Sequence, residues 1–338
     1  MTDDPWRVVR ADKGALLVLP AHGAAEHEPV RAPLERDGLV ASDEGRVVPA
    51  VGDLVELDEH GTPARLLPRR SALVRDSAGR TSLTQVLAAN VDVVLVVEHL
   101  DPDPDLGRVE RLLTLAWRSG AQPVVVLTKA DLVPDPQGMA QDVAQVALAV
   151  DVHAVSVPSD EGLEPVRALL EPGRTLVVVG PSGAGKSTLV NALAGREVMA
   201  TGGRREGDGR GRHTTTHREL VPLAGGAMLI DTPGLRAVGL VADADALEHT
   251  FADVAELVAA CRFADCTHVA EPGCAVQAAL ADGELSERRF ASWRKLEREA
   301  AYQERRTDAR LAAAEKARFK KLTQTYHRTL RGPGAPRR

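Results

Sequence analysis

The chain has 338 residues, 44% of them hydrophobic, and a net charge of -6. That is enough apolar material for about two or three domains with real cores. No apolar run reaches about 18 residues and the start, MTDDPWRVVR, lacks a signal-peptide core, so no spanning helix is expected and the expected setting is cytoplasmic, with no membrane partner.

The charge is uneven. Residues 286–338 carry 16 Lys/Arg against 6 Asp/Glu, a net of +10, leaving -16 on the rest. A basic arm on an acidic body points to a polyanionic partner, nucleic acid first.

Residues 1–68 read as a small β domain. Short apolar runs (Trp6–Val9, Ala15–Leu19, Leu39–Val40, Val47–Val48, Asp53–Leu57) alternate with Gly, Pro and Asp turns. About five strands in that length suit an OB-type barrel, a common carrier of RNA. Trp6 is its one aromatic residue, so backbone and shape contacts are expected there rather than base stacking. Leu66 to Ala78 is polar and basic and reads as a linker.

A second unit spans 69–238. Val91–Val97 and Pro123–Leu127 are continuous apolar runs that read as buried strands, with a helix over Leu106–Ser119 between them. Alternation of strand and helix predicts a doubly wound, mostly parallel α/β sheet with ligand groups at the carboxyl ends of its strands. At the end of the second run stands Thr128-Lys129-Ala130-Asp131. It resembles the guanine-reading motif of GTPases, usually Asn-Lys-x-Asp. A carboxylate accepts from two donors at once, and guanine offers a ring N–H beside its amine; Asp131 would select GTP over ATP, with the Lys129 stem along the base. A helix over 138–150, a short strand over His153–Val157 and a helix over Gly162–Leu170 follow. Ser156 and Val157 fall where GTPases place a backbone contact to the guanine oxygen.

Leu176–Leu189, LVVVGPSGAGKSTL, passes from a buried strand into a phosphate loop and then a helix. Across Gly180, Pro181, Ser182, Gly183, Ala184 and Gly185 the backbone can wrap a phosphate closely, with several amides pointing inward. Lys186 would reach the β- and γ-phosphates, acting in catalysis as well as binding, and Ser187 would ligate magnesium. Thr188 opens a helix whose positive end faces the same phosphates.

Thr201–His217 is rich in Gly and Arg without apolar periodicity, and reads as a switch loop ordering around the γ-phosphate and Mg2+. One of Thr214, Thr215 or Thr216 would add a second hydroxyl to the metal, Thr215 being the expected ligand and a candidate catalytic residue. A strand over Ala227–Ile230 ends in Asp231-Thr-Pro-Gly234, in which Asp231 would hold magnesium through water and the Gly234 amide would meet the γ-phosphate. The base-reading motif precedes the phosphate loop, the reverse of an ordinary GTPase. The order is circularly permuted, so the switch leads straight into the C-terminal region, 239–338.

That region holds every cysteine of the chain: Cys261-x4-Cys266-x-His268-x5-Cys274. Three thiolates and one imidazole make a complete, closed tetrahedral set for one structural Zn2+. Ser286 to about Leu330 reads as a charged, Ala-rich helix.

Taken together, the OB-like start, the permuted motifs, Gly211-Arg-His213-Thr-Thr-Thr216 and the Cys/His cluster resemble the RsgA (YjeQ) family of circularly permuted GTPases that depend on the small ribosomal subunit. The resemblance implies a GTP hydrolase, cycling between GTP and GDP, that acts late in small-subunit maturation, contacts rRNA, is stimulated by the subunit and is released on hydrolysis; a monomer is expected. Thr128 stands where Asn is usual, and Arg212 where some members have Gln. Many GTPases orient the attacking water with a Gln just after D-x-x-G; here that residue is Leu235. Resemblance and proximity assign the role to His213. Intact Lys186, Ser187 and Asp231 argue against a scaffold that senses GTP without turnover, and Asp131 against an ATP-using kinase.

Overall fold

The computed structural model describes residues 4–21, 27–76, 84–199, 219–231, 243–303 and 313. The N-terminal strands are β1 (Trp6–Asp12), β2 (Ala15–Pro20), β3 (Val30–Pro33), β4 (Val40–Ser42), β5 (Gly45–Val47), β6 (Leu54–Leu57) and β7 (Pro63–Leu66). They form one sheet in the order β3-β2-β1-β6-β7-β4-β5 around Val8, Leu16, Val18, Val40 and Val55. Seven strands replace the five expected, and pairing between β3 and β5, which would close a barrel, is not among the described pairs. The two additional strands, β3 and β7, carry a proline at an end and do not alternate buried and exposed side chains: in β3 only Ala32 is buried, and in β7 only the end residues Pro63 and Leu66.

The expected linker is another correction. Within Leu66–Ala78 lies β8 (Ala72–Asp76), antiparallel to β9 (Thr84–Ala89). Its anchor is Leu73, which is fully buried against the main core and outweighs the polar neighbours.

The larger sheet comprises β10 (Val93–His99), β11 (Gln122–Thr128), β12 (Val152–Ala154), β13 (Thr175–Val179), β14 (Glu219–Pro222) and β15 (Met228–Asp231), in the order β12-β11-β10-β13-β15-β14. Every pair is parallel except β14 with β15. Alternate residues of β10 enter opposite cores: Val94 and Val96 lie with Leu112 and Leu113 of α1 (Leu106–Ser119), whereas Val93, Leu95 and Val97 lie with Leu189 and Leu193. A strand covered on both faces must be apolar throughout, which is why these runs are continuous. The remaining helices are α2 (Pro136–Ala144), α3 (Glu164–Arg167), α4 (Lys186–Ala194), α5 (Ala244–Thr250), α6 (Ala252–Ala259), α7 (Ala275–Asp282) and α8 (287–303). The elements expected over 138–150, 153–157 and 162–170 are shorter than the sequence suggests, ending in turns.

Two interfaces tie the parts together. On one side, Arg7 of β1 reaches Thr175 at the start of β13 (Nη1 to Oγ1, 2.5 Å), and burial lowers its guanidinium pKa. Asn90 donates to the Gly52 carbonyl (3.0 Å), and the Gly52 backbone sits so close to Ala89 that a Cβ would meet its oxygen at 2.0 Å. On the other, α1 receives the C-terminal helices. Fully buried Glu110 accepts from Arg288 and from buried Arg289, which also pairs with Asp253. Burial alone would lower the Arg289 pKa, but the two carboxylates outweigh it and raise it. Arg111 pairs with Glu299, and Trp117 stacks on His249.

Candidate nucleotide and metal sites

β13 is central in the sheet and delivers the chain to Gly180 at φ 152°. A Cβ at Gly180 would lie 2.1 Å from the Val97 carbonyl oxygen, so only glycine lets the loop leave beside β10. Gly183 (φ 85°) and Gly185 (φ 74°) complete the wrap, and Gly185 caps the N-terminus of α4. Pro181, Ser182 and Gly183 face outward at least in part, Ala184 is buried, and Lys186, Ser187 and Thr188 form the first turn of α4. The Lys186 ammonium donates to the carbonyls of Gly180 (3.0 Å) and Pro181 (2.5 Å), which places it over the loop.

The end of β11 meets this loop. Thr128 is buried; its hydroxyl lies 2.8 Å from the Ala184 carbonyl and 3.2 Å from that of Glu98. Lys129 takes the left-handed conformation (φ 64°) and its ammonium donates to Asp101 O (2.7 Å). Ala130 N donates to Val155 O (3.1 Å), and Asp131 is exposed in the 3-10 turn that follows. Ser156 is buried and bridged to Glu161 through two 3.0 Å backbone bonds, with Val157 half-buried beside it. The structure thus brings 128–131, 156–157 and 180–188 to one edge of the sheet, at the carboxyl ends of β10, β11 and β13.

Sequence reading missed the support beneath them. Glu98, fully buried at the end of β10, takes two bonds from Arg108 of α1 (2.6 and 3.1 Å). The available signal was a carboxylate closing an apolar strand, with arginine in the first turn of the next helix. The switch side stands differently. His213, Thr214, Thr215, Thr216 and Gly234 lie outside the described residues, and of Asp231 only the backbone is described, paired with Glu219.

Cys261, Cys266, His268 and Cys274 converge, their ligand atoms all within 4.8 Å of one another. Cys261 Sγ lies 3.5 Å from His268 Nδ1 and 3.9 Å from Cys274 Sγ; Cys274 Sγ lies 3.7 Å from His268 Nδ1. A tetrahedral zinc with bonds of about 2.3 Å to sulfur and 2.0–2.1 Å to nitrogen requires ligand separations of about 3.5–3.8 Å, so the donor set fits. Burial pushes the Cys261 thiol up, but the Val276 and Ala275 amides and the neighbouring thiols outweigh it and hold it below the ordinary value, toward the ligating thiolate. His268, at φ 57°, is fixed by Gln277 donating to its carbonyl (2.8 Å), and its ring meets the rings of Phe290 and Trp293 edge-on. The metal set therefore bears directly on α8. Among the described residues, no helix is long and apolar enough to cross a membrane.

A sequence model of the RsgA GTPase family matches residues 66–241. The chain is 48% identical over 94% of its length to a Streptomyces coelicolor protein named small ribosomal subunit biogenesis GTPase RsgA, covering 86% of that relative. It is 50% identical over 91% of its length to the protein of the same name in Streptomyces avermitilis, covering 82% of it. In fold it resembles the crystal structure of YjeQ from Thermotoga maritima (TM-score 0.64, 24% identity, 88% of this chain and 98% of that one). It also resembles that of YloQ, described as a circularly permuted GTPase (TM-score 0.60, 23% identity, 89% and 96%).

Proposed function

The chain belongs to the RsgA GTPase family and is a GTP-hydrolysing enzyme, and we propose that it acts in maturation of the small ribosomal subunit, as the names of its relatives suggest. The observation that carries the nucleotide half of this reading is the contact between Thr128 and Ala184, because it locks the base-reading strand end to the phosphate loop. In this reading Asp131 accepts from the guanine edge, Lys129 lies along the base, and Ser156 and Val157 offer backbone to the guanine oxygen. The loop amides from Gly180 to Gly185 and Lys186 hold the phosphates; Ser187, Thr215 and Asp231 hold Mg2+. A magnesium ion held by these residues would supply charge neutralisation between the β- and γ-phosphates. His213 orients the attacking water or takes its proton, at the place where Leu235 cannot. Cys261, Cys266, His268 and Cys274 hold one structural Zn2+.

Residues 1–68 serve as an OB-like RNA-binding unit, 69–238 as the permuted GTPase domain and 239–338 as the zinc unit with its basic arm. A cytoplasmic monomer acting on the subunit and its rRNA fits these assignments, with hydrolysis stimulated by the subunit and coupled to release. The test is GTP turnover with purified small subunits, with large subunits as the control. Acceleration by small subunits alone is expected; equal rates with both would overturn the assignment. His213→Ala should leave GTP affinity unchanged and cut stimulated turnover on the order of 10²-fold, and normal stimulated turnover would remove His213 from the reaction.

A further inference from the structure

β10 ends in Glu98 and His99, and the chain then turns through Leu100, Asp101 and Pro102 toward α1. Asp101, Pro102 and Asp103 are exposed, so apolar packing does little to fix this turn. Polar contacts fix it instead. Leu100, fully buried, donates its amide to Thr128 O (3.0 Å). The His99 side chain is only 12% exposed and reaches across the turn, with Nδ1 2.8 Å from Pro102 O. A carbonyl oxygen can only accept, so Nδ1 carries a proton and donates. On its other side Nε2 lies 3.4 Å from Glu98 Oε1, on the carboxylate that Arg108 holds.

The far side of the same turn meets the guanine motif. Asp101 O accepts from the Lys129 ammonium at 2.7 Å. Among the described hydrogen bonds and ion pairs, this bond and the one from His99 are those that residues 101–104 make. Lys129 stands in the left-handed region (φ 64°), with Thr128 O bonded to Leu100 N on one side and Ala130 N to Val155 O on the other. Such a backbone persists only where its surroundings impose it. The lysine is therefore held at both ends, its backbone by the strands and its ammonium by the turn, two residues before Asp131.

We propose that His99 is a positioning residue for the guanine base: by bracing the turn that presents Asp101 O, it fixes the Lys129 stem along which the base lies. The inference rests on the guanine reading proposed above, and adds to it a residue that touches no nucleotide. A lysine stem has large rotamer freedom, and ordering it when a nucleotide arrives would weaken binding. With the ammonium already seated on Asp101 O, that ordering is done before the base enters. The effect belongs to the base and leaves the phosphates alone, because Lys186 and the loop from Gly180 to Gly185 are held by their own contacts.

The test uses the full-length, zinc-loaded protein and displacement of a fluorescent GDP analogue by GTP, by ATP and by tripolyphosphate, which can meet only the phosphate loop. His99→Ala should weaken GTP on the order of 5-fold, as expected when one long side chain must be ordered on binding, and should leave tripolyphosphate unaffected. His99→Asn, whose amide can donate from near the place of Nδ1, should recover most of that loss. His99→Gln keeps bulk but moves the donor outward; it should lose GTP affinity as His99→Ala does, which keeps the test open if the smaller side chain unfolds the turn. Lys129→Met keeps a stem without the ammonium, and adding His99→Ala to it should cost nothing further. The proposal is overturned if both His99→Ala and His99→Gln bind GTP normally, if tripolyphosphate weakens as much as GTP, if His99→Asn recovers nothing, or if the two losses add. Wild type that holds ATP as tightly as GTP would defeat the guanine reading and this inference with it; GTP preference with an indifferent His99 defeats this inference alone.

Discussion

At Thr128 one hydroxyl stands where a carboxamide is usual, and the geometry shows why the exchange is tolerated. The task is to reach the Ala184 carbonyl from the end of β11, and a threonine oxygen does so at 2.8 Å. In the role proposed for it Asp131 would have no such freedom, because a carboxylate can accept from both guanine donors at once. Asp131→Asn is expected to lower GTP affinity on the order of 10²-fold or more and to favour xanthosine nucleotides; nucleotide competition measures it, and unchanged GTP preference would free Asp131 of the role. Gly180 is constrained by backbone alone. Gly180→Ala would press a methyl group into the Val97 carbonyl, which two central strands hold in place. It should cost at least about 1 kcal/mol of stability and abolish GTP binding, read by urea unfolding with and without the nucleotide.

Among the elements, α1 carries the most. Asp105 caps its start by accepting from Arg108 N, and Gly120 ends it in the left-handed conformation. Between these ends its first turns hold Arg108 to Glu98, Glu110 to two arginines, and Arg111 to Glu299. Glu110→Ala strands the Arg289 cation in a buried site with Asp253 as its remaining carboxylate, and a loss of about 3–5 kcal/mol is expected, seen in calorimetry as early melting of the C-terminal helices. If melting is unchanged, the pair does not hold that interface. The length of α1 and its apolar face were legible in the sequence, as were β10, β11 and β13, because strands buried on both faces leave continuous apolar runs. Glu110 was not, since a periodicity argument assigns a charged helical residue to solvent, and nothing local announces arginines from the far end of the chain. β14 escaped for a related reason: four residues ending in proline at a sheet edge carry too little pattern. The phosphate loop and the Cys/His set were legible because their chemistry fixes spacing; the Thr128 contact and the Glu98–Arg108 support depend on tertiary proximity.

Over the whole molecule, the metal set acts as a brace for α8, with the His268 ring against Phe290 and Trp293 and that helix gripping α1. Chelating the zinc should therefore loosen 261–274 and α8 together while leaving the sheet and GTP affinity intact; hydrogen exchange resolved along the chain would show this, and unchanged exchange in α8 would refute the coupling. The strand order β12-β11-β10-β13-β15-β14 has a different consequence, for synthesis. A chain made from its N-terminus completes β10, β11 and β12 of this sheet first, with the other edge of β10, at Val93–Val96, still without its β13 partner. That edge is a ready template for another chain until β13 emerges. The end of β11, proposed to read guanine, is thus made well before the loop proposed to hold phosphate, and on that assignment a nascent chain would gain nothing from GTP until Asp231 had left the exit tunnel. Slowing translation between codons 132 and 175 would lengthen that exposed interval, so this stretch is where aggregation during synthesis would begin.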